Sequence, residues 1–195
     1  MQLIIMPVQE FKVTEMKIEC PVCNGEAFMI NTSDEIPFFG KFVFFTLTCK
    51  KCNFKRSDVM STEMREPSCY IAEIKKPEDM TTKIIRSSTS TVLIPELGIT
   101  IEPGEVADGY ITNMEGLLER VENVVSIMTK ADSKQVVEAA RKRLEKVRKA
   151  KAGKLKFKVI LKDPFGNSGL IGKNVKQKQL GEKELKKLKH NVLLL

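Results

Sequence analysis

Four of the five cysteines form two pairs of the same spacing, Cys20-Pro21-Val22-Cys23 and Cys49-Lys50-Lys51-Cys52, with twenty-five residues between them. A two-residue gap lets a tight turn aim both thiolates at one ion. Two such turns complete a tetrahedron of sulfur ligands ~2.3 Å from a zinc ion. Asn24-Gly25 and Asn53-Phe54 follow the two pairs, and Asn and Gly tolerate the left-handed backbone that such turns need. Four sulfur ligands leave no coordination position for water, so one zinc held by Cys20, Cys23, Cys49 and Cys52 is expected to be structural rather than catalytic. A thioredoxin-like redox role is disfavoured because no strand–helix–strand pattern surrounds either pair. Cys69 lies seventeen residues beyond the last ligand and is expected to be a small buried hydrophobe.

Other chemistry finds little support. His190 is the only histidine and sits in a lysine-rich stretch with no carboxylate or nucleophile beside it, so a histidine-dependent triad is not indicated. Gly166-Asn167-Ser168-Gly169-Leu170-Ile171-Gly172-Lys173 resembles a phosphate loop only superficially. Its glycine spacing is off by one, and Asn174 stands where a magnesium-binding Ser or Thr belongs. The chain is expected to be no enzyme and to have no small-molecule substrate.

The elements that must position the cysteines follow from periodicity. Ala27–Ile30 and Lys41–Thr48 read as strands, with Asn31–Gly40 as a loop between them, and together they make a zinc ribbon. Tyr70, Ala72 and Ile74 alternate with polar neighbours. Further short strands are expected at Thr82–Arg86, Thr91–Ile94 and Ile99–Ile101. The period then changes. Met114, Leu117, Leu118, Val121, Val124, Val125 and Met128 follow helical spacing. Thr112-Asn113-Met114-Glu115 offers a capping box. A second helix after Asp132-Ser133 carries Val136, Val137, Ala140, Leu144 and Val147 on one face, and the short connection makes the two an antiparallel hairpin. Phe157, Val159 and Leu161 alternate with lysines as a strand, Asp163–Ser168 is a turn, and Leu170-Ile171 starts a last strand. The fold class is therefore α+β and mainly β. Its expected parts are an N-terminal segment (1–15), a zinc ribbon (16–60), a β-rich domain (61–175) with its helical hairpin at about 113–151, and a basic tail (176–195).

Charge is unevenly placed along the 195 residues. Residues 1–140 carry 15 Lys/Arg and 21 Asp/Glu, whereas residues 141–195 carry 18 and 4, giving +8 overall. Such asymmetry suits an anionic partner, a nucleic acid or an acidic protein face, or else a lysine-rich solubilising surface. Arg141–Lys162 is the densest stretch, with 11 Lys/Arg against Glu145. No apolar run approaches the ~20 residues that span a bilayer, and the N-terminus has no basic flank or cleavage site. A cytoplasmic protein with no membrane partner and no disulfide framework is expected.

Four motifs in order resemble the Zpr-one zinc-finger family. They are the ribbon with Ile36-Pro37-Phe38-Phe39-Gly40 between its cysteine pairs, then Ile85–Leu97 with Arg86-Ser87-Ser88-Thr89-Ser90-Thr91, then Thr112–Leu118, then Asp163-Pro164-Phe165-Gly166-Asn167-Ser168. The resemblance covers about Cys20 to Ile171 and is to the single-copy, archaeal form. It implies a zinc ribbon followed by a jelly-roll-like double-stranded β-helix with an inserted helical hairpin. It also implies a protein client, the translation elongation GTPase that delivers aminoacyl-tRNA, which relatives bind and help to fold. The alternative is a nucleic-acid-binding zinc-ribbon protein using the basic Arg141–Lys162 surface. For a client, the leading surface is the ribbon's own aromatic cluster, Phe38, Phe39, Phe42, Phe44 and Phe45, because so small a ribbon cannot bury all five in its own core. The other reading has all five sealing the ribbon against the β-domain.

Overall fold

The computed structural model describes residues 13–36, 40–63, 65–104 and 107–193. The chain divides into two compact units, Met1–Glu63 and Met64–Leu195.

The first unit is a four-stranded antiparallel meander, β1 (Val13–Glu19), β2 (Glu26–Ile36), β3 (Gly40–Cys49) and β4 (Lys55–Ser61), in sequential order. The segment Asn31–Gly40 is strand rather than loop up to Ile36. Its polar residues stay in register with the aromatic strand β3, Asn31 opposite Phe45 and Thr32 opposite Phe44, down to Ile36 opposite Gly40. Pairing along a strand rich in aromatic residues outweighs the turn preference of Asn, Ser and Asp. Meander topology puts the β1–β2 and β3–β4 turns at one end, and these turns are the two cysteine pairs.

The second unit holds two antiparallel sheets. One has the order β12-β5-β10-β7-β8, from β5 (Ser68–Ile74), β7 (Thr91–Ile94), β8 (Ile99–Ile101), β10 (Phe157–Asp163) and β12 (Val175–Gln179). The other has the order β11-β6-β9, from β6 (Lys83–Arg86), β9 (Tyr110–Asn113) and β11 (Gly169–Ile171). Alternation explains the central strand: Phe157, Val159 and Leu161 are buried while Lys158 is exposed. Ile84, Ile85, Val92, Ile94 and Leu161 are fully buried, and because Ile84 and Ile85 are consecutive in β6, that strand is covered on both faces.

Between β9 and β10 the chain inserts a helical hairpin, α1 (Met114–Met128) and α2 (Lys134–Lys151). Asn113 rather than Thr112 caps α1, its side-chain oxygen accepting from the Gly116 N–H at 2.9 Å. Thr112 and Asn113 both lie in β9, opposite Ile84 and Lys83, so the strand runs directly into the capping residue. Leu117, Leu118, Val121 and Val125 of α1 are buried, as are Ala140, Val147 and Ala150 of α2. Val136 is exposed, because α2 presents an apolar stripe too narrow to seal its first turn.

Within the basic tail expected at 176–195 the chain forms a strand and a helix. Val175–Gln179 forms β12, pairing with β5 from Val175 opposite Ala72 to Gln179 opposite Ser68. Its lysines face water at a sheet edge, where charge discourages further strand pairing. Helix α3 (Glu182–Leu193) follows, with Glu184 ion-paired to Lys162 of β10 and Leu188 buried. Among the described residues no helix is long and apolar enough to cross a membrane.

Candidate metal centre

The two turns at one end of the meander are built alike. The Cys20 N–H donates to the Gly25 carbonyl and the Cys49 N–H to the Phe54 carbonyl, each at 2.8 Å. Asn24 (φ 51°) and Asn53 (φ 57°) take the left-handed conformation expected of them. A Cβ on Gly25 would lie 2.8 Å from Lys51 Cδ and 3.4 Å from Cys23 Sγ, so a glycine here lets the two turns come together.

This convergence brings all four predicted ligands into one cluster. The sulfurs of Cys20, Cys23, Cys49 and Cys52 lie within 4.8 Å of one another. Cys20 and Cys52 are 3.7 Å apart, as are Cys23 and Cys49. That is far beyond a disulfide, with S–S ~2.05 Å. It suits the edge of a tetrahedron, which is ~3.8 Å when each sulfur sits ~2.3 Å from a central ion. The chemistry of the donor set, four thiolates at the corners of a tetrahedron, fits zinc.

The electrostatics point the same way. The Cys52 N–H stabilises the Cys49 thiolate and holds its pKa down to about 7. At Cys52 the Phe54 N–H favours the thiolate, yet burial and the three neighbouring sulfurs outweigh it and push the pKa up to about 12. Four like charges do not gather unaided, whereas a divalent cation deprotonates its thiol ligands outright. The ion also replaces a core. Cys20, Ala27 and Cys49 are the buried centre of this end, flanked by half-buried Ile18, Leu47 and Phe54. Lys17 and Lys50 lie 5.7 and 5.5 Å from the Phe28 ring.

Cys69 stands apart from the four, as expected. It is fully buried in β5, and burial pushes its thiol pKa up, so it is an inert core residue. The five phenylalanines divide. Phe42 is fully buried, whereas Phe44 and Phe45 are half-buried. Phe38 and Phe39 lie outside the described residues. Phe42 therefore serves packing, not an open face.

Sequence reasoning missed a second polar centre, in the β-domain. Asp163 is 1% exposed and accepts from Ser168 Oγ at 2.6 Å, Ser87 Oγ at 2.9 Å and the Phe165 N–H at 2.8 Å. Ser168 Oγ accepts in turn from the Ser87 N–H at 2.9 Å. This network ties the loop after β6 to the turn after β10. A Cβ on Gly166 (φ 72°) would come 2.6 Å from the Glu66 carbonyl, so that turn tolerates only glycine. Beside it Arg86, 2% exposed, donates to the carbonyls of Asp108, Ser90 and Glu102. The signal was the run Ser87–Ser90 between β6 and β7, a polar stretch too long for an ordinary core.

Comparison with known proteins agrees with this geometry. The ZPR1 zinc-finger domain matches residues 12–67 and the ZPR1 jelly-roll domain matches residues 78–191. A ZPR1-like protein of Methanocaldococcus jannaschii is 39% identical over 182 residues, covering 92% of each chain. A ZPR1-like protein of Pyrococcus horikoshii is 35% identical, covering 91% of this chain and 82% of that one. The zinc finger chaperone zpr1 of Schizosaccharomyces pombe is 29% identical over 80% of this chain and 34% of its own length. Its cofactor being one zinc ion and its fold a ribbon followed by a β-rich domain with three helices, the chain belongs to the ZPR1 zinc-finger family.

Proposed function

We propose that this chain is a zinc-stabilised protein-binding module that binds the translation elongation GTPase delivering aminoacyl-tRNA and assists its folding. The carrying observation is membership of a family in which a relative is described as a chaperone. The chemistry of the metal centre supports a binding role over a catalytic one. Cys20, Cys23, Cys49 and Cys52 saturate a tetrahedral ion and leave no position for substrate. The ion then shapes the ribbon, and the β2–β3 hairpin at its other end offers the client surface through Phe38, Phe39, Phe44 and Phe45. Four zinc-bound thiolates and one buried thiol suit a reducing compartment, and we place the protein in the cytoplasm.

The test is capture of the purified elongation GTPase during its refolding. A Phe38→Ala/Phe39→Ala variant should keep zinc and melting temperature yet lose capture. Normal capture by that variant rejects the hairpin as the client surface, and absence of capture by the wild-type chain rejects the client.

A further inference from the structure

The cations of the second unit are not spread evenly. Eight of them line two concavities along the second half of α2 that share Ala152. One, of about 440 Å³, presents Arg141, Arg148, Lys149 and Lys154 against a single acid, Glu145. The other, of about 310 Å³, presents Lys75, Lys76, Lys151 and Lys156 against Glu115. Several of these charges are already answered. Glu122 bridges Arg148 and Lys151, Glu145 pairs with Lys149, and Glu73 pairs with Lys75. Asp79 lies beside Lys76, whereas Arg141, Lys154 and Lys156 form no ion pair with a carboxylate among the described residues.

We propose that this basic belt binds base-paired RNA through its phosphates. Charge complementarity calls for a polyanion. A protein partner is disfavoured by composition, since protein interfaces are depleted of lysine and centre on aromatic anchors. The only aromatic residue in either lining, Phe157, is 3% exposed and unavailable. The same absence argues against single strands, whose bases stack on exposed aromatic rings. Neither lining contains the Asn or Gln that pairs with adenine in the DNA major groove. Lysine-rich linings suit recognition by shape and backbone, the mode by which RNA duplexes are read; Arg141 could also reach guanine in a DNA duplex, so the matching DNA is the competitor to separate. Along α2, Arg141 to Ala152 spans about 16 Å at ~1.5 Å per residue, so the belt is long enough to follow a backbone. This activity is independent of the client reading, because it uses residues of the other unit and a different ligand.

The experiment measures affinity of the zinc-loaded full chain for a twenty-base-pair RNA duplex of arbitrary sequence across a salt series. Arg141→Gln/Lys154→Gln/Lys156→Gln should weaken binding about tenfold or more at low salt and flatten the slope by about one unit per lost phosphate contact. A control, Lys183→Gln/Lys186→Gln/Lys187→Gln on α3, removes the same charge elsewhere and should leave the slope nearly unchanged. Unchanged melting temperature and zinc content certify both variants. An equal loss in the control reduces the effect to net charge and overturns the proposal. So do failure of the wild-type chain to bind, tighter binding of the matching DNA duplex, and equally tight binding of a polyglutamate of the same charge, which identifies an acidic protein face instead.

Discussion

The ribbon and the β-domain solve the same problem by opposite means. Around its metal end the ribbon buries only Cys20, Ala27 and Cys49 fully, and two lysines shield Phe28. A unit of about sixty residues is marginal on burial alone, so the metal adds what a larger core would. The β-domain has Ile84, Ile85, Ile94, Leu97, Leu117, Leu118 and Leu161 fully buried and uses polar groups only to fix loops. Stability in one unit therefore hangs on four sulfur atoms, and in the other it is distributed over many side chains.

The largest expected effect breaks the first half of this comparison. Cys49→Ser removes one of four ligands, and binding in structural zinc sites contributes ~10–16 kcal/mol of folding free energy. The variant should lose the metal and the folded ribbon, while Cys69→Ser keeps one zinc per chain. Metal analysis of both settles the ligand set, and zinc loss in Cys69→Ser would count against it.

Next comes the distributed core. Leu118→Ala should destabilise the β-domain by ~2–5 kcal/mol without changing zinc content. An unchanged melting transition would show that the hairpin is not part of that core. Asp163→Asn probes the polar latch. It keeps the volume but turns an amide N–H₂ toward groups that donate, at a cost of about 3 kcal/mol. Hydrogen exchange should quicken first in the Arg86–Thr91 loop and the Asp163–Ser168 turn. Uniform quickening over the whole unit would mean that the network does not act locally.

The smallest effect concerns the half-exposed charges of the hairpin. Lys151 and Arg148 hydrogen-bond Glu122 and hold its carboxyl below the usual range. A depressed folded pKa contributes stability above the unfolded value of ~4.3, and that stability is lost as pH falls through the folded value. Glu122→Gln should therefore cost about 0.5–1 kcal/mol at neutral pH, and the two proteins should converge in acid. A gap that persists at pH 2 would assign the effect to packing instead.

Much of this contrast was legible in the residues. Two C-x-x-C pairs fix a metal site because spacing alone constrains a turn, and Asn24 and Asn53 carry the conformation that the turn needs. The helices were legible because Leu117, Leu118, Val121 and Val125 repeat at helical spacing. Three features were not. The extension of β2 to Ile36 depends on its partner, since Asn31 and Ser33 favour turns until Phe45 and Val43 lie opposite. Strand β12 has no apolar alternation, because Lys176 and Lys178 border an edge and only backbone pairing with β5 holds them. The Asp163 latch joins residues 76 positions apart through hydrogen bonds, which leave no periodic trace.

The central claim is that a metal holds one unit and a core the other. Hydrogen exchange of the full chain, resolved by residue before and after removal of zinc with a chelator, tests it most directly. Protection should vanish across β1 to β4, residues 13–61, and persist in β5, β10 and α1. Loss of protection in both units together, or in neither, would contradict it.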